Sequence, residues 1–471
     1  MQGFREGFCL LFLMIAVVPA FAVTLGTSKD GKYFTIDKEP TFLCGISYYA
    51  GNSVEDPEHV KKDLDDMVKD GLNWIRVWAI WNSVSAVTPD GAIREPYMSR
   101  LKTLIEESNK RGIIVDVTLT RGNKSSPSNL AQHLACAKTI ATELKPYRNI
   151  YIDIANERDV GDARHVTYSE MGTIIDAIKS IDSDRICTAS GVPGSQANLD
   201  EYFSVGHCDF IAPHLCRDKE CPAKTLGTVT EFISWMNNLK HRVPVNLQEP
   251  FRRDYSEYQP IQEDYYRDAG GGKIAGAAGW CLHNGSSRSS KDKRPQRSFS
   301  MSKEHGRLYA QLDSVEMDVS NNIIEQIGGT SINTLRWQAE YPEQLPHHIG
   351  RKDGLAWSVE PVKDSAGYLN TGPSISSIPG GKHAVTWRLM IDNNNSDKQE
   401  VLNLEIMAGE KTLAQKAIKR QDFKTINQWQ DFTISFTSDD NIPLDFRTKW
   451  NGNSAIKLDY VSIEIDKDAL K

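Results

Sequence analysis

The feature that most constrains the fold is a series of eight short β-type runs within the first 285 residues. They start 23 to 40 residues apart, near positions 42, 73, 113, 150, 185, 208, 244 and 274. Helical patterns with period-3.6 apolar positions and a terminal glycine lie between most of them, as in 57–71 and 97–112. Eight βα units of this spacing predict a closed (β/α)8 TIM barrel of about 250 residues, with its site at the carboxyl ends of the strands. The alternative is an open doubly wound sheet, although no GxGxxG turn follows the first run.

The hydrophobic period changes to two beyond residue 331. Apolar residues alternate with polar or small ones in three runs: Val385, Trp387, Leu389 and Ile391; Leu402, Leu404 and Ile406; and Phe432, Ile434 and Phe436. About 140 residues of short strands and turns suit an all-β sandwich. A helical pattern over 302–317 would close the barrel. The predicted domains are therefore the barrel at 23–318, a linker at 319–331 and the sandwich at 332–471.

The amino terminus has the parts of a secretory signal peptide. Arg5 precedes an apolar run at 8–18, and the small residues Ala20 and Ala22 stand where a signal peptidase cuts. We therefore expect residues 1–22 to be removed and the mature protein to be secreted or periplasmic, without a membrane anchor. An uncleaved anchor is the alternative, but about 15 apolar residues are fewer than the roughly 20 that span a bilayer.

Charge and cysteine usage exclude several classes of function. The net charge is -7 and no long basic run is present to follow a phosphate backbone, so no nucleic-acid partner is expected. Seven cysteines remain after the signal peptide, between Cys44 and Cys281, and none has zinc-type spacing. Export permits disulfides, and one could close the short segment between Cys216 and Cys221. The odd number leaves at least one thiol free.

Two predicted strands end in a glutamate. Strand four reads YIDIANE and ends at Glu157, and strand seven reads VNLQEP and carries Glu249. These strands stand across the barrel mouth from each other, so two carboxylates would face one another over a bound bond. Glycoside hydrolysis uses this arrangement, in which one carboxyl group protonates the leaving oxygen while the other attacks the anomeric carbon. The alternative is that each glutamate is an ordinary solvated residue or helix cap.

Together, these motifs mark a resemblance that covers residues 42–285, about half of the chain. This region resembles the catalytic barrel of the clan GH-A glycoside hydrolases, nearest to glycoside hydrolase family 5, which contains cellulases and mannanases. The resemblance implies that Glu157 is the general acid/base and Glu249 the nucleophile. It also implies that Asn156 binds the 2-hydroxyl of the sugar. Arg76, in the motif WIRVW, matches an arginine that keeps the nucleophile ionised by its opposite charge.

Further residues have counterparts in the same family. His214, in APHLC, would orient a carboxylate or touch the sugar, and Trp280, in GWC, would form an apolar floor for the sugar. Aromatic residues past strands one and two could line sugar subsites: Tyr48, Tyr49, Trp78 and Trp81. Two positions depart from the family pattern, because Cys216 stands where a tyrosine is usual and 118–121 lacks a histidine. Both Trp280 and Arg76 could instead be structural.

The carboxyl-terminal half resembles β-sandwich carbohydrate-binding modules of the family 6 and 35 type, which are jelly-roll, galactose-binding-like domains. The resemblance is carried by WQAE at 337–340, GLAW at 354–357, the run 380–392, FRTKW at 446–450 and the dipeptide at 458–459. It implies that Glu340 and Asp459 hold a structural calcium, since that ion prefers oxygen ligands. The alternative is a surface salt-bridge pair. Trp387, on an alternating face, is expected to pack in the core.

These observations predict an exported retaining glycosidase that cleaves β-glycosidic bonds in a poly- or oligosaccharide. No cofactor is required for catalysis, and calcium would be structural. The mechanism requires the pKa of Glu157 to be raised by burial and by its carboxylate neighbour. Two alternatives stay open, namely a non-catalytic glycan-binding protein on a degenerate barrel and a transglycosylase. The sugar, the linkage, endo or exo action and the oligomeric state do not follow from the sequence.

Overall fold

The computed structural model describes residues 23–119, 127–160, 164–285, 297–395 and 397–466. The predicted signal peptide, 1–22, lies outside the described residues. Within them, no helix combines the length and the hydropathy needed to cross a membrane.

Strands and helices alternate through the first part of the chain. Its strands are β1 Leu25–Thr27, β2 Phe34–Ile36, β3 Glu39–Thr41, β4 Leu43–Ser47, β5 Trp74–Trp78, β6 Ile114–Thr118, β7 Ile150–Asp153, β8 Cys187–Thr188, β9 Asn246–Leu247 and β10 Gly279–Leu282. Its helices are α1 Pro57–Lys69, α2 Tyr97–Lys110, α3 Leu130–Leu144, α4 Tyr168–Ile181, α5 Gln196–Ser204, α6 Cys221–Leu239, α7 Gln262–Ile274, α8 Leu308–Gln311 and α9 Ser314–Gln326. The helices predicted at 57–71 and 97–112 are thus confirmed as α1 and α2.

The parallel strands form a closed barrel. Seven of them lie in the order β8-β7-β6-β5-β4-β10-β9. Residues 209–214 supply the remaining position, because the Asp209 amide donates to the Cys187 carbonyl at 2.9 Å and parallel bridges join Ile211 to Val245 and His214 to Glu249. The fold is therefore a (β/α)8 barrel, and the open doubly wound alternative is wrong.

Two predicted elements differ from the structure. The eighth run was expected to begin at Ile274, but that residue ends α7 and the strand begins at Gly279. The sequence pattern does not predict the end of α7, because three consecutive glycines lie at 270–272 and glycine disfavours helices. The segment 319–331, predicted as a linker, is largely the end of α9, which Asp313 and Glu316 start with a capping box.

The interior of the barrel is plugged at the amino-terminal end. One cluster of buried residues from the barrel strands surrounds Phe34: Leu43, Trp74, Ile114, Tyr151, Phe210, Ala212, Ala278 and Cys281. Phe34 lies on β2 of the small antiparallel sheet β1-β2-β3 and packs edge-on against Phe210, with ring centroids 5.0 Å apart. Polar side chains, among them Arg76 and Glu249, occupy the opposite, carboxyl-terminal end of the barrel interior.

The second half folds into two packed antiparallel sheets. The strands are β11 Thr334–Gln338, β12 Arg351–Lys352, β13 Trp357–Val359, β14 Gly367–Asn370, β15 Pro373–Ile375, β16 Gly381–Ile391, β17 Glu400–Ala408, β18 Lys411–Lys419, β19 Gln430–Ser438, β20 Leu444–Trp450 and β21 Ile456–Glu464. One sheet runs β12-β13-β21-β16-β19, with β11 on β21, and the other runs β14-β20-β17-β18, with β15 on β20. Burial alternates along β16, and Trp387 is fully buried between the sheets. This is the predicted β-sandwich.

Helix α7 joins the two halves. Arg267 forms two hydrogen bonds with the Glu343 carboxylate, at 2.6 and 2.7 Å, and Ile274 packs into the sandwich core. On its barrel side, a Cβ at Gly272 would lie 2.6 Å from the Cδ1 atom of Leu247 on β9, so a larger residue there would force this buried side chain to move. The helix is thus packed on both faces.

Candidate active site

Glu157 and Glu249 meet at the carboxyl end of the barrel, as predicted from their strand positions. Glu157 follows β7 in a left-handed turn, with φ of 48°. Its amide donates to Ser190 Oγ at 3.1 Å, and Asp153 Oδ1 accepts from the Ala155 amide at 3.1 Å, which fixes the turn. Glu249 follows β9. Carboxylate oxygens of the two glutamates lie within 4.8 Å of each other and of a His214 ring nitrogen.

Arg76 lies fully buried beneath this pair, on β5. It donates to Glu249 Oε1, to Asn156 Oδ1 at 2.7 Å and to Thr118 Oγ1 at 3.0 Å. Its guanidinium also pairs with Asp116 and Asp153, at 3.2 and 3.4 Å. A buried cation needs such partners, so Arg76 both carries the charge of the site and holds Asn156 beside the carboxylates.

The charges around Glu249 keep it ionised. Burial raises the pKa of Glu249, but the charges of His214, Arg76 and Arg217 outweigh that effect, and the resulting pKa lies well below the usual value. This is the state that a carboxylate nucleophile requires.

Glu157 does not have the raised pKa that the sequence led us to expect. Burial does raise the pKa of Glu157, but the hydrogen bond from His214 and the charge of Arg217 reverse the effect, and the net shift is downward. Arg217 Nη2 lies 3.2 Å from Glu157 Oε1 and 2.7 Å from Glu249 Oε2. The expectation failed because it included neither the hydrogen bond from His214 nor a cation between the two carboxylates.

A hydrogen-bonded chain leads to Glu249 from the other side. Arg252 Nη1 donates to His283 Nε2 at 3.1 Å. Burial lowers the pKa of His283 well below its usual value, so the ring is neutral and Nδ1 carries its proton. Nδ1 therefore donates to the Tyr49 hydroxyl at 2.7 Å, and that hydroxyl donates to Glu249 Oε1 at 3.2 Å.

Comparison with known proteins agrees with this geometry. Residues 34–261 match the family model described as Cellulase (glycosyl hydrolase family 5). The barrel is a glycoside hydrolase domain, and the protein is a glycosidase. The match confirms the predicted resemblance to family 5. No curated protein matches the sequence.

Solved structures show the fold of the whole glycosidase. A glycoside hydrolase shares 15% identity with a TM-score of 0.55, covering 95% of this chain and 98% of its own. A family 5 glycoside hydrolase from Bacteroides vulgatus shares 14% identity with a TM-score of 0.55, covering 91% and 93%. Both likenesses extend over barrel and sandwich together. The resemblance of the sandwich to carbohydrate-binding modules stays a prediction.

Two predicted sugar contacts in this glycosidase are wrong. Trp280 is fully buried and donates through Nε1 to Asp268 Oδ2 at 2.7 Å, on helix α7. Tyr48 is also fully buried and donates to Asp63 Oδ2 at 2.9 Å, on helix α1. Both side chains leave the strand ends toward the surrounding helices, because successive residues of a strand point to opposite faces.

The other predicted residues lie at the mouth of the site. Trp81 stacks on Tyr49 with ring centroids 6.0 Å apart, and Trp78 meets Trp81 edge-on at 4.6 Å. His214 places Nδ1 3.3 Å from Glu157 Oε1 and Nε2 3.1 Å from Gln248 Oε1. His214 and Trp81 therefore remain candidates for contact with the sugar.

Sequence reasoning missed three site residues: His283, Arg217 and Arg252. Strand alternation could have found His283, since Cys281 points into the barrel and His283 follows two residues later. Arg217 and Arg252 lie on loops just beyond His214 and Glu249. No period marks such loop residues, so the sequence contained no signal for them.

Among the residues that the structure describes, two groups of side chains are close enough to hold a metal ion. One is Glu157, His214 and Glu249, where Arg217 already donates to both carboxylates. The other is Cys216, Asp218 and Cys221, in which the two cysteines form a disulfide. That disulfide closes the predicted segment, and the other five described cysteines are free and buried.

The predicted calcium ligands are neighbours at the edge of the sandwich. The Ala339 amide donates to the Asp459 carbonyl at 2.8 Å. Glu340 Oε2 is buried with no hydrogen-bond partner among the described residues, and burial raises the pKa of Glu340 to about 8. Asp459, however, pairs with Arg388 Nε at 3.3 Å. Glu340 thus fits a cation ligand, whereas Asp459 would have to leave Arg388.

Proposed function

We propose that the protein is an exported, retaining glycosidase that hydrolyses β-glycosidic bonds in a poly- or oligosaccharide by double displacement. The spacing of Glu157 and Glu249 supports this most directly. Retaining enzymes hold their carboxyl groups about 5 to 5.5 Å apart, and inverting enzymes hold them about 6.5 to 9.5 Å apart. One oxygen of each group lies within 4.8 Å of an oxygen of the other here, which favours the shorter separation of the retaining enzymes.

In the first step, a Glu249 oxygen forms a bond to the anomeric carbon as the bond from that carbon to the leaving oxygen breaks. Glu157 gives its proton to the leaving oxygen, so the products are a glycosyl ester of Glu249 and a free alcohol. Arg76 and the Tyr49 hydroxyl orient Glu249 for attack. Asn156, held through its carbonyl oxygen by Arg76, retains its amide hydrogens for the sugar 2-hydroxyl.

In the second step, water attacks the anomeric carbon and the ester bond breaks, which restores Glu249. Glu157, now a carboxylate, accepts the proton of the water. Because Arg217 and His214 favour the ionised form of Glu157, they assist this step and oppose the first. Arg217 therefore has to leave the two carboxylates when substrate binds.

Export is supported by the signal-like residues 1–22 and by the Cys216–Cys221 disulfide, which an oxidising compartment would preserve. We further propose that the sandwich binds glycan next to the barrel.

The test is release of reducing sugar from β-glucan, β-mannan, xylan, β-galactan and uronic-acid-containing polymers. We expect release from one of them, its loss in Glu157→Gln and Glu249→Gln, and full activity in Glu143→Gln, which alters a surface ion pair with Lys102. Proton NMR of the first product should show the β-anomer. An α-anomer would contradict double displacement. Polymer binding without release would favour a glycan-binding protein, and transfer to an added sugar would indicate a transglycosylase.

A further inference from the structure

Arg217 lies where the scissile bond has to be. Its Nη2 donates to both catalytic candidates, and its side chain is only 15% exposed. The Cys216–Cys221 disulfide ties its loop to the start of helix α6. A sugar between the carboxylates must displace this guanidinium, and Glu157 must gain a proton. Arg217 then loses both of its anionic partners within a largely buried site.

Arg252 is a second cation at the mouth that has no acid partner. Among the described residues, no carboxylate lies within 4.0 Å of its guanidinium, and its Nε is buried without a hydrogen-bond acceptor. Its one described hydrogen bond goes to the neutral ring of His283. Burial lowers the pKa of Arg252, and the charge of Arg217 adds to this effect. A partly buried guanidinium whose Nε has no acceptor and which has no anion beside it is costly.

The two arginines share one aromatic side chain. The Cζ atoms of Arg217 and Arg252 lie 4.8 and 5.0 Å from the Tyr255 ring centroid, so they are at most about 10 Å apart. Arg252 also lies 5.2 Å from the Phe299 ring. Phe299 in turn stacks on Trp81, at the mouth of the site. The cationic pair is therefore held against aromatic walls, directly beside the scissile-bond position.

We propose that the sugar at the scissile bond carries a carboxylate, as in a uronic acid, and that Arg217 and Arg252 bind this group. The inference rests on the proposed function and names its substrate class. The planar fork of arginine matches a carboxylate in two hydrogen bonds. A uronic acid gives Arg252 the anion that it lacks and gives Arg217 a partner to replace the glutamates. A neutral sugar would leave both cations unpaired and would be rejected for that reason.

The same contact would activate Glu157. While Arg217 lies on Glu157, its charge contributes to lowering the pKa of that carboxyl group. A substrate carboxylate that draws Arg217 away removes this contribution, although that of His214 remains, and so raises the pKa of Glu157 toward the protonated acid needed for the first step. Binding of an acidic sugar would thereby move Arg217 from the catalytic carboxylates to the substrate carboxylate and favour protonation of Glu157.

The test compares 4-nitrophenyl β-glycosides in pairs that differ only at C6: glucuronide with glucoside, galacturonide with galactoside, and mannuronide with mannoside. We expect kcat/KM for one uronide to exceed that for its neutral partner by at least 100-fold. Arg252→Gln should lower this preference by about 100-fold. The control is Arg148→Gln, an arginine paired with Asp182 at the opposite end of the barrel, which should keep the preference. Thermal melting verifies that each variant is folded.

The outcomes separate this inference from the proposed function. Equal or faster cleavage of a neutral glycoside, lost in Glu249→Gln, would leave the glycosidase standing and overturn the acidic substrate. A preference for the glucoside 6-sulfate over the glucuronide would also overturn the carboxylate. If no glycoside is cleaved, calorimetry with D-glucuronate, D-galacturonate and D-mannuronate against their neutral parents decides. Uronate binding that salt weakens and Arg252→Gln abolishes supports the inference, and equal binding or none overturns it.

Discussion

The mouth of the barrel and the core of the sandwich bury opposite kinds of side chain. At the barrel mouth, Arg76 is fully buried and pairs with three carboxylates that are at most 4% exposed, those of Asp116, Asp153 and Glu249. In the sandwich, the buried face of β16 is apolar, with Trp387 at its centre, and Arg388 points outward. Buried ion pairs contribute little net stability, whereas apolar packing contributes much. The mouth of the barrel thus gives up stability in order to hold reactive charges, whereas the core of the sandwich does not.

The largest expected effect is a loss of turnover when Glu249, at the charged mouth of the barrel, is replaced. Replacing Glu249 by alanine removes the nucleophile, so kcat should fall on the order of 10⁴-fold or more. Sodium azide should restore turnover and yield the α-glycosyl azide, because the small anion attacks from the vacated face. Glu410→Ala, at an exposed hairpin tip of the sandwich, should keep full activity. Loss of kcat without azide rescue would count against a nucleophile at this position.

The matching substitution in the apolar core of the sandwich is Trp387→Ala. Emptying this core position should destabilise the sandwich by about 3 to 5 kcal/mol. Chemical denaturation followed by tryptophan fluorescence would measure the loss, and Trp387→Phe should lose less because it retains most of the packing. While the protein is folded, kcat/KM on a small glycoside should stay at the wild-type value. A parallel drop in kcat/KM would break the division between a stable half and a reactive half.

Two adjacent tyrosines test the same contrast within the barrel, because Tyr49 faces the charged site and Tyr48 faces helix α1. Tyr49→Phe removes the hydroxyl that donates to Glu249, and kcat should fall about 10- to 100-fold. Tyr48→Phe removes only the bond to Asp63, so it should cost about 1 to 3 kcal/mol of stability and leave kcat unchanged. Steady-state kinetics and melting curves separate the two. The reverse pattern would show that the assignment of their faces is wrong.

The pH profile of Arg217→Gln tests whether the charge of Arg217 controls the ionisation of Glu157 at the barrel mouth. On the alkaline limb, kcat/KM falls as Glu157 of the free enzyme loses its proton. The positive charge of Arg217 favours the ionised carboxylate, so its removal raises the pKa of Glu157 and moves this limb to higher pH. Arg148→Gln should leave the limb in place. An unmoved limb in Arg217→Gln would show that Arg217 does not set the ionisation of Glu157.

The smallest effect concerns the buried acid of the sandwich. Burial raises the pKa of Glu340 from an ordinary 4.5 to about 8. The folded state therefore binds more protons, and the unfolding free energy falls as pH rises through that window. Glu340→Gln should raise the melting temperature at pH 8 but not at pH 4.5, whereas Glu410→Gln should change neither.

Calcium should act on the same carboxylate in the opposite direction. If Glu340 is a ligand, millimolar calcium raises the wild-type melting temperature at pH 8 and has no effect on Glu340→Gln. Equal melting temperatures with and without calcium would contradict the predicted ion site.

Site residues could be predicted from the sequence where a polar side chain lies on or just after a recognisable strand. Asn156, Glu157 and Glu249 follow strands whose positions hydrophobic runs reveal, Arg76 lies within such a strand, and the structure brings the four together. Trp280 and Tyr48 were misplaced because residues on both faces of a barrel strand are buried, so hydrophobicity does not show which face a residue joins. In the sandwich, alternation does show the face, which is why Trp387 was placed in the core.

The sequence by itself determined a βα-repeat barrel, an all-β second half and a glutamate at the end of two opposed strands. These follow from local period and from position along a strand, which short stretches of chain specify. Only the tertiary structure decided that Tyr49 and His283 face Glu249, that Arg217 reaches both carboxylates, and that Arg252 donates to His283. Loop conformation and the direction of each strand residue depend on contacts between distant segments, and those contacts exist only when the barrel is closed.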